Sequence, residues 1–217
     1  MRVPGMAFLM LAAQVAAARA AGAPPLPADL LALLARPDHR AALLQAAQAV
    51  GAAQPGPCPK ATYVTSGEIS LLQPLKLDAK GVPVAGAWKE SVTQAGCDAT
   101  RVLNALTTVR ANGTLDTRPL LPGTTITDLK LQQDSVQYAA AGMGEMPDGC
   151  EQGGIADTAF DGMDGQPPGA KPPPGAALRP WTETWTLQAC GKRAQVRMRF
   201  TPDATGIGIQ ATPAAPP

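Results

Sequence analysis

The chain has 217 residues, 18 of them basic and 17 acidic, for a formal net charge of +1. So even a balance provides no overall field favouring nucleic acid or an anionic membrane surface. The length fits one domain with a real core, but 22 glycines, 23 prolines and only 4% aromatic residues point to short elements and many loops.

Residues 1–20 read as an export signal. Arg2 supplies the positive start, Met6 to Ala18 an apolar stretch of about thirteen residues, and Ala18-Arg19-Ala20 a small-x-small cleavage site. The stretch is shorter than the roughly 20 residues needed to span a bilayer. No later segment is apolar for long enough. The first cysteine is Cys58, too far from the cut for lipid attachment. The expected location is the periplasm or the exterior, with no stable membrane insertion after cleavage.

Residues 21–59 are expected to form a helical hairpin and linker. Leu30, Leu31, Leu33 and Leu34 give the first helix an apolar face. Pro37 opens the second, with Asp38 in its first turn, where a negative charge is favourable. Leu43, Leu44 and Ala47 supply its apolar side, and Gly51 ends it.

A sheet domain is expected over 60–212, with a frayed tail at 213–217. Strands are predicted at 71–77, 84–93, 101–110 and 114–120, with a turn at 78–81. Asn112-Gly113 between the last two is a hairpin signal for a type I′ turn. It also begins a glycosylation sequon, read as a turn because the composition suits a GC-rich bacterium. A helix follows at 128–141, then a long Gly/Pro/Asp-rich loop at 142–180, made stiff around Pro172 to Pro174.

The last hairpin joins 181–190 to 193–201 through Gly191-Lys192, a loop that suits a type II′ turn. That turn opposes Cys190 to Arg193, Trp185 to Met198 and Glu183 to Phe200. One face then carries Trp181, Trp185, Leu187, Val196, Met198 and Phe200. The other carries Thr184, Thr186, Arg197 and Arg199. A further strand is predicted at 206–211.

Cys58, Cys97, Cys150 and Cys190 are an even set without a C-x-x-C, so two disulfides are expected rather than a zinc or redox site. Three pairings are open. Cys97–Cys190 with Cys58–Cys150 is preferred, because Cys97 and Cys190 both end predicted strands beside a glycine.

Most catalytic patterns are absent. One histidine, His39, excludes multi-histidine metal centres and is expected to be an ordinary surface or satisfied residue. G-x-S-x-G, the P-loop and a complete dinucleotide fingerprint are missing, and no cofactor is expected. Glu183 lies on the tryptophan face, where desolvation can raise a carboxyl pKa. It is the candidate acid for a hydrolase reading, against a plain place at the sheet margin. Asp157, Asp161, Gly162, Asp164 and Gly165 resemble a cation loop only faintly, so no metal is expected. Between Lys130 and Lys171 the charged residues are all acidic, and the last third supplies Arg179, Lys192, Arg193, Arg197 and Arg199, so the two are expected to pair within the fold. Arg197 and Arg199 are the candidate anion-binding residues.

Three segments resemble a group of uncharacterised exported proteobacterial proteins: Gly96-Cys97-Asp98-Ala99-Thr100-Arg101, Pro119-Leu120-Leu121-Pro122-Gly123, and Trp181-Thr182-Glu183-Thr184-Trp185 with Cys190-Gly191. The resemblance spans about 90–210 and implies no activity. It favours Cys97–Cys190 as the framework bridge. The expectation is therefore an α+β domain: an antiparallel sheet of hairpins, an N-terminal helical hairpin, one mid-chain helix and two disulfides. Its expected role is non-enzymatic binding of an envelope or extracellular partner, with no nucleic acid. The alternative is a carboxylate-dependent hydrolase of envelope polymers.

Overall fold

The computed structural model describes residues 26–53, 58–96, 99–144, 150, 153–170 and 179–214. The expected signal at 1–20 and the stretch around Pro172 to Pro174 lie outside them. Along the chain come α1 (Ala28–Leu34), α2 (Pro37–Ala53), β1 (Thr62–Leu77), β2 (Pro83–Gly96), β3 (Ala99–Val109) and β4 (Leu115–Leu120). Then follow α3 (Leu129–Gly142), β5 (Gly153–Met163), β6 (Trp181–Ala189), β7 (Lys192–Pro202) and β8 (Ile207–Pro213). The strands form two antiparallel four-stranded sheets, ordered β1-β2-β3-β4 and β5-β6-β7-β8. The class is α+β, as expected, but the expected sheet is two sheets.

Each sheet has its own helical cover. Leu30 and Leu33, three residues apart on α1, bury against Trp88. Leu43, Ala46 and Ala47 of α2 bury against Val92, Leu103 and Ala105 of β2 and β3. In α3 the Asp128 side chain accepts from Leu131 N and caps the first turn. Leu131 and Ala139 then join the core of Trp181, Trp185, Val196, Met198 and Phe200. Gly142 lets the helix approach closely, since a Cβ there would lie 2.6 Å from Val196 Cγ1.

The fold repeats itself. A helix followed by four antiparallel strands occurs as α2 to β4 and again as α3 to β8. Trp88 opposes Thr107 and Glu90 opposes Ala105 in the first sheet; Trp181 opposes Phe200 and Glu183 opposes Met198 in the second. Every one of these four positions lies 93 residues before its counterpart. The register of the central strand pair is therefore the same in both units.

Residues 121–125 tie the units together. Gly123 N donates to Val102 O at 2.7 Å, and Thr124 N donates to Thr158 O at 2.7 Å. The Thr158 hydroxyl donates to Pro122 O and accepts from Thr125 N. Gly123 has φ +95°, and a Cβ there would meet Thr158 O at 2.0 Å. Only glycine fits at this junction.

Four expectations change. The predicted loop 142–180 contains β5, which pairs along β6. Its Gly153-Gly154 start and bulged register break the alternation by which strands are read. The last hairpin turns at Cys190-Gly191, not Gly191-Lys192. Cys190 has φ 45° and Gly191 φ 81°, the positive pair of a type I′ turn. Trp185 therefore opposes Val196 and Glu183 opposes Met198, a slip of two residues from the prediction. Because side chains alternate with period two, the slip keeps every residue on its predicted face. Asn112 is not at positive φ; only Gly113 is, at 80°. Gly113 N bonds Arg110 O and Arg110 N bonds Thr114 O, closing a longer loop than a two-residue type I′ turn.

The fourth correction is covalent. Cys150 pairs with Cys190, with Cα atoms 5.8 Å apart. This overturns both Cys97–Cys190 and Cys58–Cys150. The register explains it: Gly153 opposes Ala189, so the chain entering β5 passes beside the β6–β7 turn. Without β5, nothing in the sequence reading brought Cys150 there. Cys58 is also disulfide-bonded. Cys97 lies outside the described residues.

Candidate functional site

The two central strands each carry Trp-x-Glu, and in each unit the glutamate is buried under the helix. Glu183 is 0% exposed. Its Oε1 accepts from Trp181 Nε1 at 3.1 Å and from Ile126 N at 3.0 Å. Its Oε2 accepts from Trp185 Nε1 at 2.7 Å. Three N–H groups converge on one acceptor-only side chain. Glu183 does share the tryptophan face, as the alternation required, but it is fully buried on an inner strand, not at the margin.

The sequence reading missed the first-unit counterpart. Glu90 Oε2 accepts from Trp88 Nε1 at 2.8 Å and meets His39 Nε2 at 2.6 Å. His39 is 2% exposed, and its Nδ1 has no hydrogen-bond partner. Assigning the proton to Nε2 leaves no buried donor unmet, so Nε2–H donates to Glu90. Of the two expected roles, surface or satisfied, His39 takes the second: it is a buried strut between helix and sheet. A signal was available: Trp88-x-Glu90 and Trp181-x-Glu183 recur 93 residues apart.

Both carboxyl groups face inward, each under its own helix. Glu183 is closed to substrate and to bulk water, so the candidate acid of the hydrolase reading has no access to chemistry.

The other face of the second sheet is polar and open. Its middle strand β6 presents half-buried Thr182 and Thr184, with Thr186 buried beyond them, between an acidic strand and a basic one. On the β5 side, Asp157 opposes Thr186, and Asp161 Oδ2 accepts from Thr184 Oγ1 at 2.9 Å. On the β7 side stand Arg193, Arg197 and Arg199, opposite Gln188, Thr184 and Thr182. Arg199 reaches across to Asp164 with two bonds, at 3.1 and 2.5 Å. The guanidinium hydrogen bond holds the Asp164 carboxyl below its usual range, and the carboxylate raises Arg199 in turn. Among the described residues, the Arg199–Asp164 bridge is an instance of the expected acidic-to-basic pairing.

Arg197 is different. It is exposed and forms no ion pair among the described residues. With Arg199, Thr182, Gln210 and Thr212 it lines a surface cavity of about 410 Å³. Both predicted binding arginines therefore open onto one hollow with hydroxyl and amide neighbours, a donor-rich set suited to an anion. The faint cation loop does not assemble. Asp161 and Asp164 are engaged by Thr184 and Arg199, and no group of three or more potential metal ligands occurs among the described residues.

No family model matches this chain, and neither a curated protein nor a solved structure matches it.

Proposed function

We propose that this is a non-enzymatic periplasmic or secreted protein that binds an anionic group of an envelope or extracellular partner on the open face of β6, β7 and β8. One observation carries the reading. Arg197, without a carboxylate partner among the described residues, shares a hollow with Arg199, Thr182, Gln210 and Thr212. A guanidinium fork left unpaired beside neutral donors is matched to a carboxylate or phosphate. The Cys150–Cys190 bridge supports export, since such bonds persist in oxidising compartments. No helix of the described residues is long and apolar enough to cross a membrane. The hydrolase alternative loses support because Glu183 is sealed.

The test is site-specific photo-crosslinking from Thr184, in cells producing the chain with its own N-terminus. A discrete adduct in the envelope or medium is expected, lost in Arg197→Gln with the fold intact by circular dichroism. An adduct unaffected by Arg197→Gln and Arg199→Gln together, or cleaved chain retained in the cytoplasm, overturns the reading.

A further inference from the structure

The junction between the two units holds a second hollow, separate from the one around Arg197. It measures about 360 Å³ and draws its walls from both sheets. Arg101 and Thr100 come from β3, Thr124 from the connecting segment, Asp157 from β5, Gln188 from β6 and Arg193 from β7.

The floor is fixed by backbone. Thr124 N is bonded to Thr158 O, and Gly123 is pressed against Thr158 too closely for any side chain. Gln188 and Arg193 are directly opposed across β6 and β7. The backbone around the hollow is therefore held before anything binds, which lowers the entropic cost of binding.

The charges do not cancel. Two guanidiniums and one carboxyl line the hollow, and neither arginine comes within ion-pair distance of Asp157 or of any other described carboxylate. Both nonetheless act on Asp157 through space. Burial of its carboxyl raises the pKa, while Arg193 and Arg101 pull it down without prevailing. Asp157 is exposed as a residue, but the walls desolvate its carboxyl group. Two like charges facing one partly dry hollow repel each other, and an anion between them removes that cost. Guanidinium forks match planar or tetrahedral oxygen groups bidentately. The volume far exceeds the roughly 30 Å³ share of one water, and accommodates a phosphate or a small carboxylate.

We infer that the hollow formed by Arg101, Arg193, Gln188, Thr124 and Asp157 at the junction of the two sheets is a binding site for a small oxyanion, gripped by one arginine from each unit. The anion bridges the units. Asp157 sets the affinity by opposing the anion, and Thr124 and Gln188 supply neutral donors. A phosphoryl group and a carboxyl group satisfy the same donors, so the two are separated by experiment.

Inorganic phosphate and acetate are titrated separately into the full oxidised chain at constant ionic strength. The readout is the side-chain Nε–Hε resonances of Arg101 and Arg193. Saturable shifts of both resonances are expected with at least one anion. Arg193→Gln and Arg101→Gln should each weaken binding at least fivefold, and Asp157→Asn should tighten it severalfold. Arg118→Gln, whose arginine is paired with Asp116 on β4, should leave it within twofold. The identity of the saturating anion assigns the phosphoryl or the carboxyl source. No saturation with either anion by about 50 mM, well past a millimolar site, overturns the inference. An equal loss in Arg118→Gln also overturns it, by showing diffuse attraction. Because the signals belong to Arg101 and Arg193, failure here leaves the Arg197 hollow to its own crosslinking test.

Discussion

His39 and Trp185 belong to a helix and a strand of different units, yet each supplies a ring N–H to a buried glutamate. His39 Nε2 lies 2.6 Å from Glu90 Oε2, and Trp185 Nε1 lies 2.7 Å from Glu183 Oε2. The two units exchange the source of that donor. His39 is the third residue of α2, and Leu131 is the third residue of α3. Trp185 follows Glu183 by two positions, where Val92 follows Glu90. A ring on the helix and an aliphatic on the strand in one unit become the reverse in the other. The Trp-to-Glu bond is common to both.

Loss of the histidine should therefore unfasten α2 from the first sheet. His39→Leu leaves Glu90 with the Trp88 bond and no helix donor. A stability loss of about 2–3 kcal/mol is expected, since a buried charged acceptor is left short. Urea unfolding measures it. A double-mutant cycle with Glu90→Gln should give a coupling above about 1 kcal/mol. Simple additivity would show that the contact carries no energy.

Glu183→Gln tests the three donors that converge in the second unit. A glutamine must turn its NH₂ towards either Trp185 or the Trp181 and Ile126 pair, setting donor against donor. The expected cost is about 2–4 kcal/mol, with the near-ultraviolet signal of the indoles altered. Glu183→Asp should do no better, because the shorter side chain cannot reach all three donors. A Gln variant as stable as the parent would mean that the convergence at Glu183 contributes nothing.

Alternation along 181–201 was enough to place Trp181, Trp185, Phe200, Arg197 and Arg199 on their correct faces. That reading survived an error in the turn because a two-residue slip does not change faces. The helices were legible from local signals: Pro37 starts α2, and apolar residues at helical spacing mark α3. What stayed hidden was non-local. β5 begins with two glycines and carries bulges, so it lacks a strand pattern and exists because β6 offers it an edge. The disulfide and the open-face acidic row both depend on β5, so they were lost with it. The hollow at Arg197 was half legible: the arginine pair was readable, but Gln210 and Thr212 arrive through pairing with β8. The partner of His39 was not legible, because nothing local to Pro37 or Asp38 announces Glu90, 51 residues away.

Proteolysis without reduction, followed by mass spectrometry, should return Cys150 and Cys190 in one linked pair of peptides. Cys58 is disulfide-bonded, and with that pair assigned, Cys97 is its expected partner. Losing the Cys150–Cys190 bridge, across a separation of 40 residues, should cost about 4 kcal/mol by the loop-entropy argument. The double Cys150→Ala, Cys190→Ala variant tests that figure by urea unfolding. Recovery of Cys97 linked to Cys190 would contradict the register of β5 on β6.

Asp157 gives a pH dependence whose sign follows from its environment. Burial raises its folded pKa above the ordinary 3.8, despite the nearby charges of Arg193 and Arg101. The folded chain therefore holds this proton more tightly than the unfolded chain. Below the unfolded value both states are protonated and the favourable contribution is complete. It is lost as pH rises from about the unfolded value through the folded one. At neutral pH the ionised carboxylate then sits in a setting that favours its neutral form. Asp157→Asn should raise the midpoint of thermal unfolding at pH 7, by an amount that shrinks towards zero as pH falls below the ordinary aspartate value. Melting curves of the parent and the variant across that range check it, in a buffer free of phosphate and carboxylates. A variant advantage that grows at low pH would reverse the sign and place Asp157 in a stabilising ion pair with one of the two arginines.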